Sequence, residues 1–416
     1  MFTRREGLIG AGAVTLLSSA LSIAKSAAQS ASHTPDDLAR DESYWSEIAR
    51  AYSLDGRYII LNGGGNNPHP TTVTDALNAF DRQASSAPRP HNYTLLNHKE
   101  LIRTRLAGHF GCAPDELALT RNTTEGLNVV LWGLDLQPGD EILTSQYDDR
   151  YAGAILEQRA ARHGIVLKTV ELPVSPSADE VVSLFQAMIS DRTKLIVASH
   201  LTDGWGFVLP VKGLSELAHQ NGARMLADGA LTFGHIPINV RELGCDYYAT
   251  SLHKHLTAPL GTGALYVREE LIDELWPLYG VRAESTDIRK FEQIGTRSGP
   301  TIAAISQALD FYETVGPENK AARMRYLTEI VSTELDAVSG VRFISERDPA
   351  LRTGLARIAI NDISGRDLTR KLREDYRIYT YGNWPGRDDG VYISPNLFNT
   401  PQQMRSFVGA IRQLAA

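Results

Sequence analysis

Extended and helical segments alternate between residues 117 and 267, and no other feature of the sequence limits the fold as strongly. Residues 141–145 and 194–199 have the apolar, β-branched character of strands, whereas residues 152–163 and 177–189 have helical spacing. Strands joined by helices form crossover units on a parallel sheet that is covered on both faces. We therefore expect an α/β large domain with a mainly parallel sheet.

Three groups of reactive side chains lie where predicted strands end. Lys254 follows a strand-like run that ends at Ser251, and Asp228 closes another such run. The hydroxyl pair Thr123 and Thr124 lies between a strand and a helix. Because the carboxyl ends of parallel strands share one edge of a sheet, we expect these groups to converge where such sheets bind ligands.

These residue types together fit the needs of pyridoxal phosphate. The cofactor requires an anion site for its phosphate, a carboxylate beside its ring nitrogen and a lysine that holds it as an imine. Thr123 with Thr124, Asp228 and Lys254 supply these three functions in turn. Taken singly, each also suits an ordinary structural role as a helix cap, a turn residue or a solvated lysine.

A glycine-rich run at residues 62–68 precedes the first long helix. It lacks the spacing of a dinucleotide site, and no helix starts directly after it. Two interpretations stay open, a plain turn or a loop whose bare backbone lies against a ligand. In the second case Asn62 and Gly63 would contact the substrate.

Histidines next to the lysine suggest a metal site, which we reject. His253 and His255 flank Lys254, but residues two apart on a loop make poor joint metal ligands without further partners. We therefore expect no metal. His200 ends a predicted strand and is either a buried core histidine or a residue under the cofactor.

Composition bounds the domain number and the class of partner. A chain of 416 residues that is 43% apolar can form two domains. Its net charge of −7 argues against a nucleic-acid partner bound through phosphates. The two cysteines, Cys112 and Cys245, exclude a disulfide framework.

The first 31 residues have the pattern of an export signal. Arg4 and Arg5 precede a mildly apolar stretch at residues 8–24, and small residues follow at 26–31. The pattern predicts a twin-arginine signal peptide over residues 1–31 and a periplasmic location. Gly, Ser and Thr interrupt the stretch, so it makes a poor membrane span, although an anchoring helix remains the alternative.

Beyond the signal, the sequence predicts three further parts. Residues 32–60 carry an aromatic stripe expected to dock on the small domain, residues 61–300 form the large domain, and residues 301–416 form a small α+β domain. Pro88 and Pro90 are expected to break the chain between two helices.

Several motifs together resemble the class V aminotransferase family of pyridoxal-phosphate enzymes, and in particular its isopenicillin-N-epimerase-like branch. The resemblance covers residues 61–416. The motifs that carry it are Leu61-Asn-Gly-Gly64, Asn122-Thr-Thr-Glu-Gly126, Ser199-His-Leu-Thr202 with Gly206, Asp228-Gly-Ala230, Ser251-Leu-His-Lys254, Gly295-Thr296 and Ile393-Ser-Pro-Asn-Leu-Phe-Asn-Thr400.

The resemblance implies fold type I and a homodimer with active sites at its interface. It makes Lys254 the Schiff-base lysine and Asp228 the partner of the pyridinium nitrogen. Further implied contacts are Thr123, Thr124, Ser251 and His253 to the phosphate, Thr296 to the neighbouring subunit's phosphate, and Tyr147, or else Tyr151, over the cofactor ring.

Three positions depart from the family pattern. Leu231 stands where the family often has His or Gln, and Tyr381 and Tyr392 stand where arginines are usual. One of those arginines commonly receives the substrate carboxylate. Arg297 and Arg387 are the remaining candidates for that role, and either also suits a surface position.

The expected function is chemistry at the amine of an amino acid or amino-acid residue. Transamination, racemisation and elimination stay open, whereas cysteine desulfuration needs a cysteine after Cys245 that the chain lacks. A lyase acting on a small amino acid and an inactive binding protein on this fold are the alternatives. The resemblance and the export signal together suggest tailoring of a secreted peptide such as a siderophore.

Overall fold

The protein is described by a computed structural model that covers residues 33–346, 351–382 and 390–416. Its strands, β1 to β12 in chain order, are Ile59–Ile60, Leu117–Thr120, Glu141–Ser145, Val166–Val170, Thr193–Ser199, Arg224–Asp228, Tyr247–Ser251, Gly263–Val267, Val341–Phe343, Ala356–Ile360, Ile378–Tyr379 and Val391–Ile393. Its α-helices, α1 to α15 in chain order, are Pro35–Leu38, Glu42–Ala49, Thr71–Ser86, Pro88–Leu96, Lys99–Phe110, Thr123–Gly133, Arg150–His163, Ala178–Met188, Val211–Gln220, Val240–Leu243, Gly299–Ala303, Ile305–Val315, Pro317–Leu335, Gly365–Tyr376 and Pro401–Ala415.

A seven-stranded sheet forms the centre of the large domain, in the order β2-β8-β7-β6-β5-β3-β4. Every strand runs in the same direction except β8, which is antiparallel to both of its neighbours. The prediction of a mainly parallel α/β sheet is thus confirmed. The carboxyl ends of six strands consequently lie at one edge.

Both faces of this sheet are buried, which explains its continuous apolar strands. Side chains alternate between the faces along a strand. In β5, Ile196 packs into one core cluster together with Met225 of the next strand. Its neighbours Leu195 and Val197 pack into a second cluster with Leu226. A polar residue in the middle of these strands would therefore be buried on either face.

The predicted break after α3 is confirmed at Ala87, but the proline-rich residues that follow form a further helix, α4, which was not predicted. Pro88 is the first residue of α4, where a proline's missing N–H has no helical partner and its fixed φ suits the helix. Only Ala87 leaves the helical conformation, with φ −152°. The prolines therefore start a helix here.

The small domain is built on a three-stranded antiparallel sheet in the order β12-β10-β9. Residues of helices α13, α14 and α15 form its core with this sheet, including Leu327, Leu368 and Phe407. Helix α13 is the longest element and connects the two domains, because its first turn lies against the segment that follows β7.

The N-terminal segment packs beside the small domain. Trp45 and Ile48 of α2 share a cluster with Phe311 of α12 and Leu397. Strand β1 pairs in parallel with β11. Leu61, which follows β1, belongs to the small-domain core. Within the described residues, no helix has both the length and the apolar character that crossing a bilayer requires.

A buried ion pair joins α5 to the segment that leads towards Thr296. Arg103 is fully buried, and its Nη1 contacts Glu292 Oε1 at 2.5 Å. The same carboxylate accepts a hydrogen bond from the Leu119 amide at 2.6 Å and contacts Lys99 Nζ at 3.3 Å. Although burial opposes ionisation, the hydrogen bond from Arg103 keeps the pKa of Glu292 below its usual value.

Glu292→Gln should lower the free energy of unfolding by about 3 kcal/mol, because it leaves the Arg103 charge buried without its closest counter-ion. The amide oxygen can still accept from the Leu119 amide, so the change tests the charge. Urea unfolding measures the effect. Glu274→Gln, which removes an exposed pair with Arg224, is the control and should change stability by less than about 0.5 kcal/mol. Equal losses in the two variants would contradict the prediction.

Candidate active site

The first turn of helix α6 supplies backbone N–H groups at the carboxyl edge of the sheet. Asn122 caps the helix by accepting from the Glu125 amide at 2.8 Å. Thr123 is the first helical residue and is buried, whereas Thr124 is half-buried. A helix N-terminus carries partial positive charge and unpaired N–H groups, so this position suits an anion.

Ser251 connects that helix start to the end of β7. The Thr123 amide donates to Ser251 Oγ at 2.9 Å, and the two hydroxyl oxygens are 2.7 Å apart. The predicted phosphate ligands Thr123 and Ser251 are therefore neighbours in space, although 128 positions separate them along the chain.

His253 lies two residues further along the chain and is neutral in this structure. Its Nδ1 is 3.1 Å from the Thr262 carbonyl oxygen, so Nδ1 carries the proton and donates it. Burial lowers the pKa of His253. Its Nε2 therefore donates to an anion only in the imidazolium form, which a phosphate charge would favour.

Asp228 ends β6, between β5 and β7. It is 4% exposed and accepts from the Ala230 amide at 2.9 Å. Burial raises its pKa to about 7; the Asp149 carboxylate adds to the rise, and Lys254 opposes it. Within the described residues Asp228 forms no ion pair. Such a carboxylate is suited to a cationic ring N–H.

His200 follows the end of β5, next to Asp228. Its backbone amide donates to the Asp228 carbonyl at 2.8 Å, and its Nδ1 is 3.0 Å from the Tyr248 hydroxyl. Burial lowers the pKa of His200 to about 4, so the ring is neutral. Tyr248 also fills the space beside Gly229, where an added Cβ would lie 2.0 Å from its ring.

The glycine-rich loop reaches the lysine through its backbone and an asparagine. Asn67 Nδ2 donates to the Gly63 carbonyl at 2.7 Å and to the Lys254 carbonyl at 3.0 Å. The Gly63 amide donates to the Ser394 carbonyl at 3.0 Å. A Cβ at Gly63 would lie 2.7 Å from Asn67 Oδ1. These contacts show a closely packed loop beside the lysine turn, and its contact with a ligand stays a prediction. Asn62, which forms a bridge with Ser394, and Gly63 therefore lie between the lysine turn and the small domain.

The tyrosines predicted to cover the cofactor ring lie in different surroundings. Tyr147 is 4% exposed and packs against Trp205 and Phe207, with its hydroxyl donating to the Pro173 carbonyl at 3.0 Å. Tyr151 is 52% exposed in the first turn of α7. The structure thus places the first candidate in the core and the second at the surface, and the stacking role stays a prediction.

Thr296 and Arg297 lie beside α4. Thr296 is exposed in a groove that Tyr93 also lines. Arg297 donates to the carbonyls of Leu119 at 2.6 Å and Thr120 at 3.1 Å. These bonds fix its guanidinium at the end of β2, and a substrate-binding role for it stays a prediction. Arg387 lies outside the described residues.

The three positions that depart from the family pattern form one cluster. Leu231, Tyr381 and Tyr392 pack together with Leu201 and Leu355, which makes this side of the site apolar. The rings of Tyr381 and Tyr392 are 5.7 Å apart. A Cβ on Gly64 would lie 3.0 Å from the Tyr392 hydroxyl and 3.4 Å from Leu231. The glycine loop therefore faces aromatic and aliphatic side chains here.

Sequence reasoning missed two aspartates after β3. Asp148 accepts from Thr144 Oγ1 at 2.6 Å and from the Ser199 amide, so it ties β3 to β5. Asp149 caps α7, accepting from the Tyr151 amide at 2.7 Å, and its charge acts on Asp228. An aspartate directly before a helical run is a capping signal that would have placed Asp149, but the link to β5 has no local signal.

The residues present fit a phosphate-bearing pyridine cofactor. The start of α6 offers N–H groups for an anion, and Asp228 is a buried acid that lacks an ion pair within the described residues. Lys254 is half-buried and within electrostatic range of that acid. The same residues include no cluster of three or more His, Cys, Asp or Glu side chains that could hold a metal ion.

Two structural comparisons show the fold. The chain superposes on the apo cysteine desulfurase of Thermococcus onnurineus with a TM-score of 0.79 at 21% identity, covering 89% of this chain and 98% of that one. It superposes on the cystine C-S lyase C-DES, solved with cysteine persulfide, with a TM-score of 0.77 at 24% identity, covering 86% and 98%. The fold is that of pyridoxal-phosphate-dependent enzymes of fold type I, as the resemblance predicted.

Sequence comparisons identify the family. The chain is 31% identical to isopenicillin N epimerase of Amycolatopsis lactamdurans over 403 residues, which cover 89% of this chain and 98% of that protein. It is 35% identical to a probable cysteine desulfurase of Mycolicibacterium paratuberculosis over 70% of this chain, but only 45% of that protein. The profile described as Aminotransferase class-V matches residues 59–382. The chain therefore belongs to the class V aminotransferase family, whose cofactor is pyridoxal 5'-phosphate.

Proposed function

We propose that this enzyme moves the α-proton of an amino acid or amino-acid residue, as an epimerase does. The observation that carries the proposal is the convergence of Lys254, Asp228 and the Thr123–Ser251 pair at one edge of the sheet. Similarity to isopenicillin N epimerase along 98% of that protein's length supports an epimerase over the other reactions of the family.

Each side chain has a distinct part in this proposal. The first turn of α6, with Thr123 and Ser251, binds the phosphate, and His253 adds a donor when protonated. Asp228 holds a proton on the ring nitrogen. The cofactor supplies an electron sink when bound. The amine of Lys254 would hold the cofactor, and it would also remove the proton at the substrate's α-carbon or return it.

Some relatives are named cysteine desulfurases, but the two cysteines of this chain argue against that reaction here. Burial raises the pKa of Cys112 to about 12, and it raises that of the fully buried Cys245 as well. Both thiols are therefore protonated and packed in the structure. Desulfuration needs a reactive thiolate near the substrate, and the sequence has no further cysteine.

The groove beside Thr296 supports a homodimer as part of the proposal. It has a volume of about 890 Å³ and exposes the ring of Tyr93, which is 59% accessible. Within the family, a partner's cofactor phosphate would lie next to Thr296. Light scattering tests the assembly.

The proposal also includes a location and a substrate. The protein is exported to the periplasm through the twin-arginine route, and its substrate is a secreted peptide. The support is the sequence of residues 1–31, in which Arg4 and Arg5 precede the apolar stretch. Cell fractionation tests the route. The wild-type chain should reach the periplasm, and the double variant Arg4→Lys with Arg5→Lys should stay in the cytoplasm. Equal cytoplasmic retention of both would contradict it.

Lys254→Ala should abolish the near-visible absorbance band of the covalently held cofactor, because it removes the amine that is proposed to hold the cofactor. Absorbance spectra of the purified protein after cofactor addition and dialysis measure this. Lys194→Ala removes an exposed lysine at the start of β5 and should leave the band unchanged. A band that persists in Lys254→Ala would overturn the assigned role.

Incubation with amino acids and short peptides in heavy water should give deuterium at the α-carbon together with loss of stereochemical purity. The same reactions should yield no keto acid and no sulfide from L-cysteine, since the proton returns to the same carbon. Mass spectrometry and chiral chromatography measure both. Stoichiometric keto acid would indicate transamination, and sulfide release would indicate desulfuration.

A further inference from the structure

The turn that follows Lys254 has a strained backbone. Thr257 has φ +61°, a left-handed conformation that β-branched residues rarely adopt. Its amide donates to the Lys254 carbonyl at 3.2 Å, and its own carbonyl is 3.0 Å from His69 Nδ1. Such a conformation persists only where surrounding contacts impose it, and it is frequent at functional sites.

One of these contacts is a buried lysine from the helix that connects the domains. Lys320 lies in the first turn of α13 and is 3% exposed. Its Nζ donates to the carbonyl of His255, the residue directly after Lys254. Its ammonium is 5.9 Å from the centre of the Tyr312 ring. Lys320 forms no ion pair with any carboxylate in the part of the chain that the structure describes.

A histidine pair holds the same turn through a side chain. The Gly354 amide donates to His235 Nε2 at 2.9 Å, so the proton of the neutral ring is on Nδ1. That Nδ1 lies 3.2 Å from His255 Nε2 and donates to it. The proton of His255 is consequently on its own Nδ1, which is buried and lacks a hydrogen-bond partner among the described residues. Both tautomers are thus fixed by one backbone amide of the small domain.

The titratable side chains on which the charge of Lys320 acts are His235 and His255, and the Tyr312 ring lies beside its ammonium. Burial lowers the pKa of Lys320 to about 7 and that of His235 to about 3, and it keeps His255 neutral as well. A buried ammonium without a counter-ion costs stability. Lys320 differs from the buried Lys290 because the carbonyl that it holds belongs to the turn that carries Lys254.

We propose that Lys320 is a positioning residue: it holds the His255 carbonyl, and so the turn that carries Lys254, in the geometry that captures the cofactor. The His235–His255 pair fixes the other side of this turn. The inference rests on the role proposed for Lys254. It also means that the first turn of α13 couples the small domain to the reactive lysine.

Protonation of Lys320 should strengthen this hold. A charged ammonium makes a stronger hydrogen bond to a carbonyl than a neutral amine does. Cofactor affinity should therefore fall as the pH rises through the Lys320 pKa. Asp228 titrates in the same pH range. Every variant compared below contains Asp228, so its effect on cofactor affinity cancels in the comparison.

The test is a titration of cofactor-free protein with pyridoxal 5'-phosphate, followed by the near-visible band at a series of pH values. Lys320→Met should weaken binding about tenfold below pH 7, since a charge-assisted bond is lost, and the difference should shrink at higher pH. Lys290→Met is the matched control. Lys290 is another buried lysine, whose Nζ donates to the carbonyls of Ile272 and Ser285. Its binding curves should equal those of the wild type.

Thermal unfolding separates positioning from a structural role. The pKa of Lys320 in the folded state lies below its ordinary value of 10.5, so the charged lysine costs stability most below pH 7. That cost fades as the pH rises towards 10.5. Lys320→Met should therefore unfold at the wild-type temperature or above it at pH 7, even though it binds cofactor more weakly.

Lys320→Arg covers the case in which the methionine variant does not fold. Its charge does not titrate, so it should bind the cofactor tightly with less pH dependence than the wild type. Wild-type binding curves in Lys320→Met, or a wild-type pH dependence in Lys320→Arg, would overturn the inference. If either outcome occurs while Lys254→Ala still loses the band, the inference about Lys320 fails but the role proposed for Lys254 stands. A band retained there would remove the basis of both proposals.

Discussion

Asp228 reaches the site because β6 is hydrogen-bonded between β5 and β7, in a register that aligns their carboxyl ends. Ser199 lies opposite Asp228 on one side, and Ala249 lies opposite it on the other. A shift of one residue in either pairing would turn the carboxylate to the opposite face of the sheet. The hydrogen bond between Thr123 and Ser251 and the turn that carries Lys254 also lie at this edge of the sheet.

The sequence was sufficient to predict the sheet and the residues at its edge. Continuous apolar runs between helical segments indicate parallel strands, and Asp228 and Ser251 are the last residues of β6 and β7, as expected. Thr123 was recognisable because a hydroxyl pair directly before a helical run is a local signal. These features follow from backbone geometry and from the period of the apolar residues, and both can be read over a few positions.

Contacts between distant segments were not predictable in this way. Asn67 reaches the Lys254 carbonyl across 187 positions, and Asp148 reaches the Ser199 amide across 51. No periodicity encodes such pairs, since they depend on how loops from different strands meet. The helix that starts at Pro88 was missed for a different reason. A proline ends the helix before it and can also be the first residue of the next one, and the prediction used only the first effect.

Backbone strain and an unpaired buried polar group coincide at the turn that follows Lys254. Thr257 is left-handed, and the buried His255 Nδ1 has no hydrogen-bond partner among the described residues. Lys320, which pairs with no carboxylate in the same part of the chain, donates to the His255 carbonyl. Buried Arg103 has a carboxylate partner, whereas buried Lys290, like Lys320, donates to backbone carbonyls. Proteins break local rules mainly at functional sites. The two domains meet at this turn, where Lys320 of α13 holds the His255 carbonyl and the Gly354 amide holds the histidine pair. In the proposed function, the small domain therefore fixes the backbone that carries Lys254.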